Sequence, residues 1–136
     1  MNYWLFKEEP THYSFDDLMR DKKTVWDGVE NNLALKHLRE VKKGDRVFFY
    51  HTGDEKAVVG LARVARGPYP DPALGDEKRV VVDLEAVGTL AAPVPIASIR
   101  SSASCRDLGL VKIPRLSVMP VSDAAWEVIV KEGRPA

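Results

Sequence analysis

The sequence has a single cysteine, Cys105, so no internal disulfide framework can form, which fits a reducing compartment. No apolar run approaches the length of a bilayer span, and Met1-Asn2-Tyr3-Trp4 carries no basic leader-like region. The expected setting is the cytoplasm, with no membrane partner. Net charge is missing too: 20 Lys and Arg balance 20 Asp and Glu. A domain that grips nucleic acid mainly through phosphates carries a clear basic excess, so a strong electrostatic clamp is excluded. The histidines His12, His37 and His51 lack i, i+4 spacing, and no Cys pair or H-E-x-x-H run supplies metal ligands. The glycines stand singly, without a phosphate-cradling loop. Cys105 follows the polar stretch Ser101-Ser102-Ala103-Ser104 with no partner base, and reads as an idle surface cysteine. No catalytic residue, metal or cofactor is expected.

What remains is ordinary for one globular domain spanning residues 1–136: 45% hydrophobic and 29% charged residues. The charge is uneven. Residues 31–66 hold eight Lys and Arg against four acids, whereas residues 1–30 hold seven acids against four bases. One mildly basic face is therefore expected, with Lys36, Arg39 and Lys43 as its candidates for nucleic-acid backbone contact.

Tyr3-Trp4-Leu5-Phe6 reads as a buried first strand, ended by Lys7-Glu8-Glu9-Pro10. Ser14-Phe15-Asp16-Asp17 is a capping box and predicts a short helix to about Arg20. Leu33–Val41 has helical spacing at Ala34, Leu38 and Val41, with Gly44 as the expected C′ stop. Arg46–Tyr50 is apolar on both faces and predicts a central strand. A hairpin through His51–Lys56 leads to a strand over Ala57–Ala65, whose small residues permit close approach. Gly67-Pro68-Tyr69-Pro70-Asp71-Pro72 reads as a stiff loop, followed by a strand from Val80 to Val87. A short helix over Ile96–Arg100, a turn over Ser104–Leu108, a strand-like piece over Arg115–Val121 and a helix capped by Ser122 complete the chain. The fold class is α+β with a mostly antiparallel sheet.

The most informative stretch is Thr24-Val25-Trp26-Asp27-Gly28-Val29-Glu30-Asn31-Asn32. Asp-Gly favours a tight turn, and Asn31 or Asn32 can cap the following helix. The reversal brings an indole and amide side chains together, as in a pocket that stacks and reads an unstacked base. A tryptophan plugging the core explains the same residues. Under the first reading Trp26→Ala removes binding with little unfolding; under the second it costs several kcal/mol of stability.

Ordered blocks along the chain carry a resemblance. They are Tyr3-Trp4-Leu5-Phe6-Lys7-Glu8-Glu9-Pro10, Tyr13-Ser14, Val25-Trp26-Asp27-Gly28-Val29, Asn31 and Gly44-Asp45-Arg46-Val47-Phe48-Phe49-Tyr50-His51. Val59–Val64, Tyr69–Pro72 and Arg115–Val121 continue the set. From Tyr3 to about Ile129 the chain resembles the EVE domain, the module of the thymocyte nuclear protein 1 family and its small bacterial relatives. The resemblance implies a PUA-like fold, a twisted, barrel-like antiparallel sheet flanked by short helices. It also implies a non-enzymatic reader that flips a modified base of DNA, 5-methylcytosine or an oxidised form, into a pocket. The expected partner is nucleic acid carrying that base, with association with the nucleoid.

The implied pocket draws on Lys7, Glu8, Glu9, Tyr13 and Ser14, then on Trp26, Asp27 and Gly28 as stacking wall and turn. Asn31 would read a base edge, and Arg115 with Ser117 would close the far side. Many relatives read W-D-G-V-R-N-Y-Q-A-R, where this chain has Glu30, Asn32, Leu33 and Leu35 at the Arg, Tyr, Gln and Arg positions. Two alternatives stay open. One is an RNA reader of PUA or YTH type, the YTH pocket tryptophan corresponding in order to Trp26. The other is a small enzyme acting on a modified nucleoside, with Glu8 as acid–base group.

Overall fold

The structure, a computed structural model, describes residues 1–135. Its strands are β1 (Tyr3–Glu8), β2 (Lys23–Trp26), β3 (Arg46–His51), β4 (Ala57–Asp71), β5 (Asp76–Pro95) and β6 (Val118–Val121). Its helices are α1 (Phe15–Asp21), α2 (Asn32–Glu40), α3 (Ile96–Ser101), α4 (Gly109–Lys112) and α5 (Asp123–Gly133). The strands form one mixed sheet in the order β2-β5-β4-β3-β1-β6. β1 and β3 run parallel, and the other neighbours run antiparallel. The sheet is α+β and PUA-like as expected, but it is open rather than closed into a barrel.

The parallel pair β1–β3 organises both faces. Tyr3, Leu5 and Lys7 lie opposite Arg46, Phe48 and Tyr50, while Trp4, Phe6 and Glu8 lie opposite Val47, Phe49 and His51. Successive side chains point to opposite faces, and partnered residues share one. On the first face Trp126 of α5 stacks on Tyr3 and Phe48, with ring centroids at 4.3 and 3.8 Å. On the second, Phe15 of α1 meets Phe49 at 5.3 Å. Trp4, Leu5 and Phe6 are buried, as are Val47 through Tyr50. Both faces are covered, which is why β1 and β3 read as unbroken apolar runs.

β4 and β5 pair along most of their length, with register shifts at five places. Such irregularities bend and twist a strand. The coiling brings Trp26, on edge strand β2, onto Phe6 and Phe49 near the middle of the strand order. A barrel-like interior thus forms without closure. Gly60 serves the same close packing, since a Cβ there would lie 2.4 Å from the Phe15 ring. Gly60→Ala is expected to destabilise the protein by about 1–3 kcal/mol in urea denaturation. A loss near zero would mean that Phe15 moves aside freely.

Several expectations require correction. Residues 67–71 continue β4 instead of forming a loop. β3 pairs with β4 only from Ala57 to Arg63, so the outer part of β4 has an open edge where prolines sacrifice no ladder bond. β5 runs well beyond Val80–Val87, whereas β6 covers only Val118–Val121 of the expected Arg115–Val121. Residues 23–26 form a strand where only a turn was expected. α2 ends at Glu40 with Val41 as its cap, so Gly44 belongs to the turn into β3 and is no C′ stop. The turn after α3 is followed by α4, which carried no sequence signal. Cys105 is fully buried, not a surface thiol, and burial pushes its pKa up. Three caps appear as expected: Ser14 with Asp17, Asn31 on Ala34, and Ser122 on Ala125.

Candidate functional site

At the carboxyl end of β1, on the face of Phe6 and Phe49, lies a cleft of about 200 Å³. Glu8, His12, Tyr13, Thr24, Val25, Trp26 and Asp27 line it. Three segments supply them. Glu8 is the last residue of β1. His12 and Tyr13 sit in the turn after Pro10, held by their backbone N–H groups donating to the Glu9 carbonyl at 2.9 and 3.0 Å. Thr24 to Trp26 belong to β2, and the Asp27-Gly28 turn follows, with Gly28 at φ +76° as its tight reversal requires.

Hydrogen bonds order the rim. The Glu8 Oε1 accepts the Glu9 N–H at 2.9 Å, and the His12 Nδ1 stands 3.3 Å from it. The Tyr13 hydroxyl donates to Asp21 Oδ2 at 2.9 Å. Burial pushes the Tyr13 pKa up. Asp21 is held below the usual carboxylate range by Arg20 and by that hydroxyl. No Lys or Arg lines the cleft, which presents two carboxylates, an imidazole and two hydroxyls around an indole. Such a lining accepts hydrogen bonds from a neutral, donor-bearing ring and repels phosphate.

Trp26 plugs the core, as one reading of its stretch expects. Its indole is 6% exposed and packs on Phe6 and Phe49 at 5.3 and 5.4 Å, nearly edge-on to the second. It is a core residue whose exposed remainder forms part of the cleft wall.

Of the implied pocket residues, the structure brings Glu8, Tyr13, Trp26 and Asp27 together. Lys7 points to the opposite sheet face, because it is one residue away from Glu8 on a strand. The Glu9 carboxylate is taken up by the Thr11 N–H and by the Thr11 and Thr52 hydroxyls. Ser14 is committed to capping α1: its Oγ accepts the Asp17 N–H at 3.1 Å, while Asp17 Oδ2 accepts the Ser14 N–H at 2.9 Å. Asn31 caps α2, its Oδ1 accepting the Ala34 N–H at 3.0 Å. Gly28 shapes the turn without lining the cleft. Arg115 is exposed outside the cleft, and the Ser117 carbonyl accepts the Lys7 N–H at 2.9 Å. His12, Thr24 and Val25 were missed as lining residues. A β-strand reading of Lys23–Trp26 would have exposed the last two.

Lys36, Arg39 and Lys43 are exposed, and an Arg39 Nη1–H donates to the Lys78 carbonyl at 3.5 Å. At the departures from the common motif, Glu30 pairs with Arg79 at 3.5 Å and Leu35 is buried in the core. A leucine at the position of an arginine in many relatives thus adds to packing under α2.

The EVE domain family model matches residues 2–132. The chain belongs to the EVE domain family. Its fold superposes on that of a Rhodopseudomonas palustris protein solved by NMR, with a TM-score of 0.92 and 37% identity over 98% of this chain and 94% of that one. Human THYN1, solved in complex with DNA containing 5-methylcytosine, gives a TM-score of 0.90 at 25% identity, over 98% of each chain. In sequence, human thymocyte nuclear protein 1 is 26% identical over 95% of this chain and 72% of its own length. Among the described residues of this EVE domain no helix is long and apolar enough to cross a membrane.

Proposed function

We propose that this EVE domain reads a modified base, 5-methylcytosine or an oxidised form of it in DNA, by accepting the extruded base in the Trp26 cleft. The observation that carries the reading is the cleft's lining: two carboxylates and hydroxyls around an indole, with no cation. A cytosine-type base presents an exocyclic amine, and Asp or Glu is its natural acceptor. Glu8 and Asp27 supply that acceptor, while the exposed remainder of the indole offers apolar surface for a methyl group. The base arrives neutral, and its phosphates stay outside the acidic rim. Extrusion costs a few kcal/mol and stacking or edge contact with an aromatic returns roughly 1–3. Affinity for unmodified DNA should be weak and steeply salt-dependent. Exposed Lys36, Arg39 and Lys43 are assigned to the backbone. The EVE domain acts in the cytoplasm, without chemistry on the base. The THYN1 complex with 5-methylcytosine DNA supports the same ligand class.

Asp27 gives the cleanest test, because its carboxylate is exposed and makes no hydrogen bond within the protein among the described residues. Tryptophan fluorescence is titrated with duplexes identical except for cytosine, 5-methylcytosine or 5-hydroxymethylcytosine at one site, with a matched RNA alongside. One modified DNA is expected to bind preferentially. Asp27→Ala should weaken it about tenfold, within the roughly 1–3 kcal/mol of one base-reading contact. Equal binding to all duplexes, unchanged in Asp27→Ala, would overturn the assignment. Preference for the RNA, or turnover of free nucleosides, would move it to one of the other two classes.

A further inference from the structure

The carboxyl ends of β1 and β3 hold a second cavity on the opposite sheet face, about 320 Å³ and larger than the Trp26 cleft. Lys7, Lys56 and Arg100 surround it, and Tyr50, Ile96 and Leu110 supply much of its floor. No carboxylate lines it. Among the described residues none of the three cations has a carboxylate within 4 Å.

Two of the lining side chains carry donors that the protein leaves free. The Lys7 ammonium spends one N–H on the Pro114 carbonyl at 2.6 Å and stands 6.0 Å from the Tyr50 ring centre. Its other two N–H groups have no protein acceptor among the described residues. Tyr50 is 2% exposed and lines the cavity, and its hydroxyl makes no hydrogen bond among the described residues. No described side-chain polar atom is both fully buried and unpartnered, so that hydroxyl is an accessible part of the side chain. An accessible hydroxyl held on an otherwise buried ring, beside an ammonium with two free N–H groups, is a fixed donor set. Burial draws the Lys7 pKa below the ordinary lysine value, and a bound anion would reverse this.

The chemistry selects the anion. Three positive charges, one of them a guanidinium fork, match a phosphate dianion better than a single carboxylate. Ile96 and Leu110 offer an apolar bed for a ring. We infer that this cavity binds an organic phosphate monoester with a planar ring body, of the size of a nucleoside monophosphate. The phosphate lies among Lys7, Lys56 and Arg100 with the Tyr50 hydroxyl donating to it, and the ring covers Ile96 and Leu110. The same group arises from a free nucleotide or from the phosphorylated end of a chain. This site is independent of the Trp26 cleft, since the sheet separates them.

Isothermal titration at low salt, with 5′-CMP and with a hexanucleotide bearing a 5′-phosphate or a 5′-hydroxyl, tests the inference. One saturable site is expected for at least one phosphorylated probe, competed by inorganic phosphate, with cytidine and the 5′-hydroxyl chain binding at least tenfold more weakly. Binding of 5′-CMP assigns the free nucleotide, and binding of the phosphorylated chain alone assigns the chain end. Lys7→Met and the exposed double variant Lys56→Gln/Arg100→Gln should each weaken binding tenfold or more, while Asp27→Ala leaves it unchanged. The double variant guards against a folding defect in Lys7→Met. No saturable site for either phosphorylated probe overturns the inference. So does binding insensitive to both cation variants, or equal binding of the 5′-hydroxyl chain. Loss of binding in Asp27→Ala would place the probe in the other cleft and overturn it as well.

Discussion

Replacing Trp26 by alanine is expected to lower the unfolding free energy by about 3–5 kcal/mol, the usual cost of deleting a large buried aromatic. For a domain of this size that corresponds to a fall in Tm of roughly 10–20 °C. The size follows from contacts: the indole is 6% exposed and lies against Phe6 and Phe49, which belong to the paired strands β1 and β3. Truncation empties the space between β2 and the centre of the sheet, and the backbone there is pinned by β2–β5 pairing, so it cannot readily collapse. Loss of nucleic-acid binding in Trp26→Ala is therefore no proof of a base contact. Trp26→Phe is the informative companion, since it keeps an aromatic between Phe6 and Phe49 while withdrawing part of the cleft wall. Thermal and urea denaturation of both variants, beside the fluorescence titration, separates the two effects. A loss under about 1 kcal/mol for Trp26→Ala would show that the indole contributes little to the core.

Asp45→Ala is expected to be about as damaging, roughly 3–5 kcal/mol in urea denaturation. Asp45 is 3% exposed, and its carboxylate serves three donors. Oδ2 accepts the Trp4 indole Nε1–H and the Lys42 N–H, each at 2.9 Å, and Oδ1 accepts the Asn2 N–H at 3.1 Å. It thereby fastens the start of β1 to the turn between α2 and β3. Hydrogen bonds to an ionised acceptor are worth about 1.5–3 kcal/mol each, and donors left buried without a partner add their own desolvation cost. The three are not additive, because one carboxylate holds them all. Asp45→Asn should cost less, since one oxygen remains while an NH₂ group confronts a donor. If alanine proved nearly neutral, water would have to reach the Trp4 indole nitrogen and replace the carboxylate.

His51 shows a comparable economy of buried polar groups. Its Nε2 accepts the Phe15 N–H at 2.9 Å, and its Nδ1 meets Glu55 Oε1 at 2.6 Å. That arrangement requires the tautomer with the proton on Nδ1, which ties the first turn of α1 to the β3–β4 hairpin. Sequence spacing excluded His51 from a metal site but carried no hint of this tie, because Phe15 is 36 residues away.

The legible parts of this EVE domain are those set by neighbours in the chain. The Ser14–Asp17 capping box, the Asn31 and Ser122 caps, the Asp27-Gly28 turn and the apolar runs of β1 and β3 depend on residues within a few positions of one another. The resemblance in ordered blocks likewise identified the family from residues alone, together with four of the seven residues lining the cleft. The misplaced parts are those set by pairing partners far away. The segment Gly67–Asp71 has the composition of a loop, and becomes strand because β5 pairs with it across one edge while the other stays open. Cys105 sits among serines, yet lies buried where α5 packs over its turn.

The sequence by itself determined the family, the helix starts and the buried central strands. Only the tertiary structure decided which neighbours in the motif share a site. Lys7 and Glu8 are adjacent in sequence, but strand alternation sends one to each face, and the β1–β3 register then gives each face its own partners. A block that reads as one pocket is therefore divided between two. Register is a property of paired strands, and no single strand contains it.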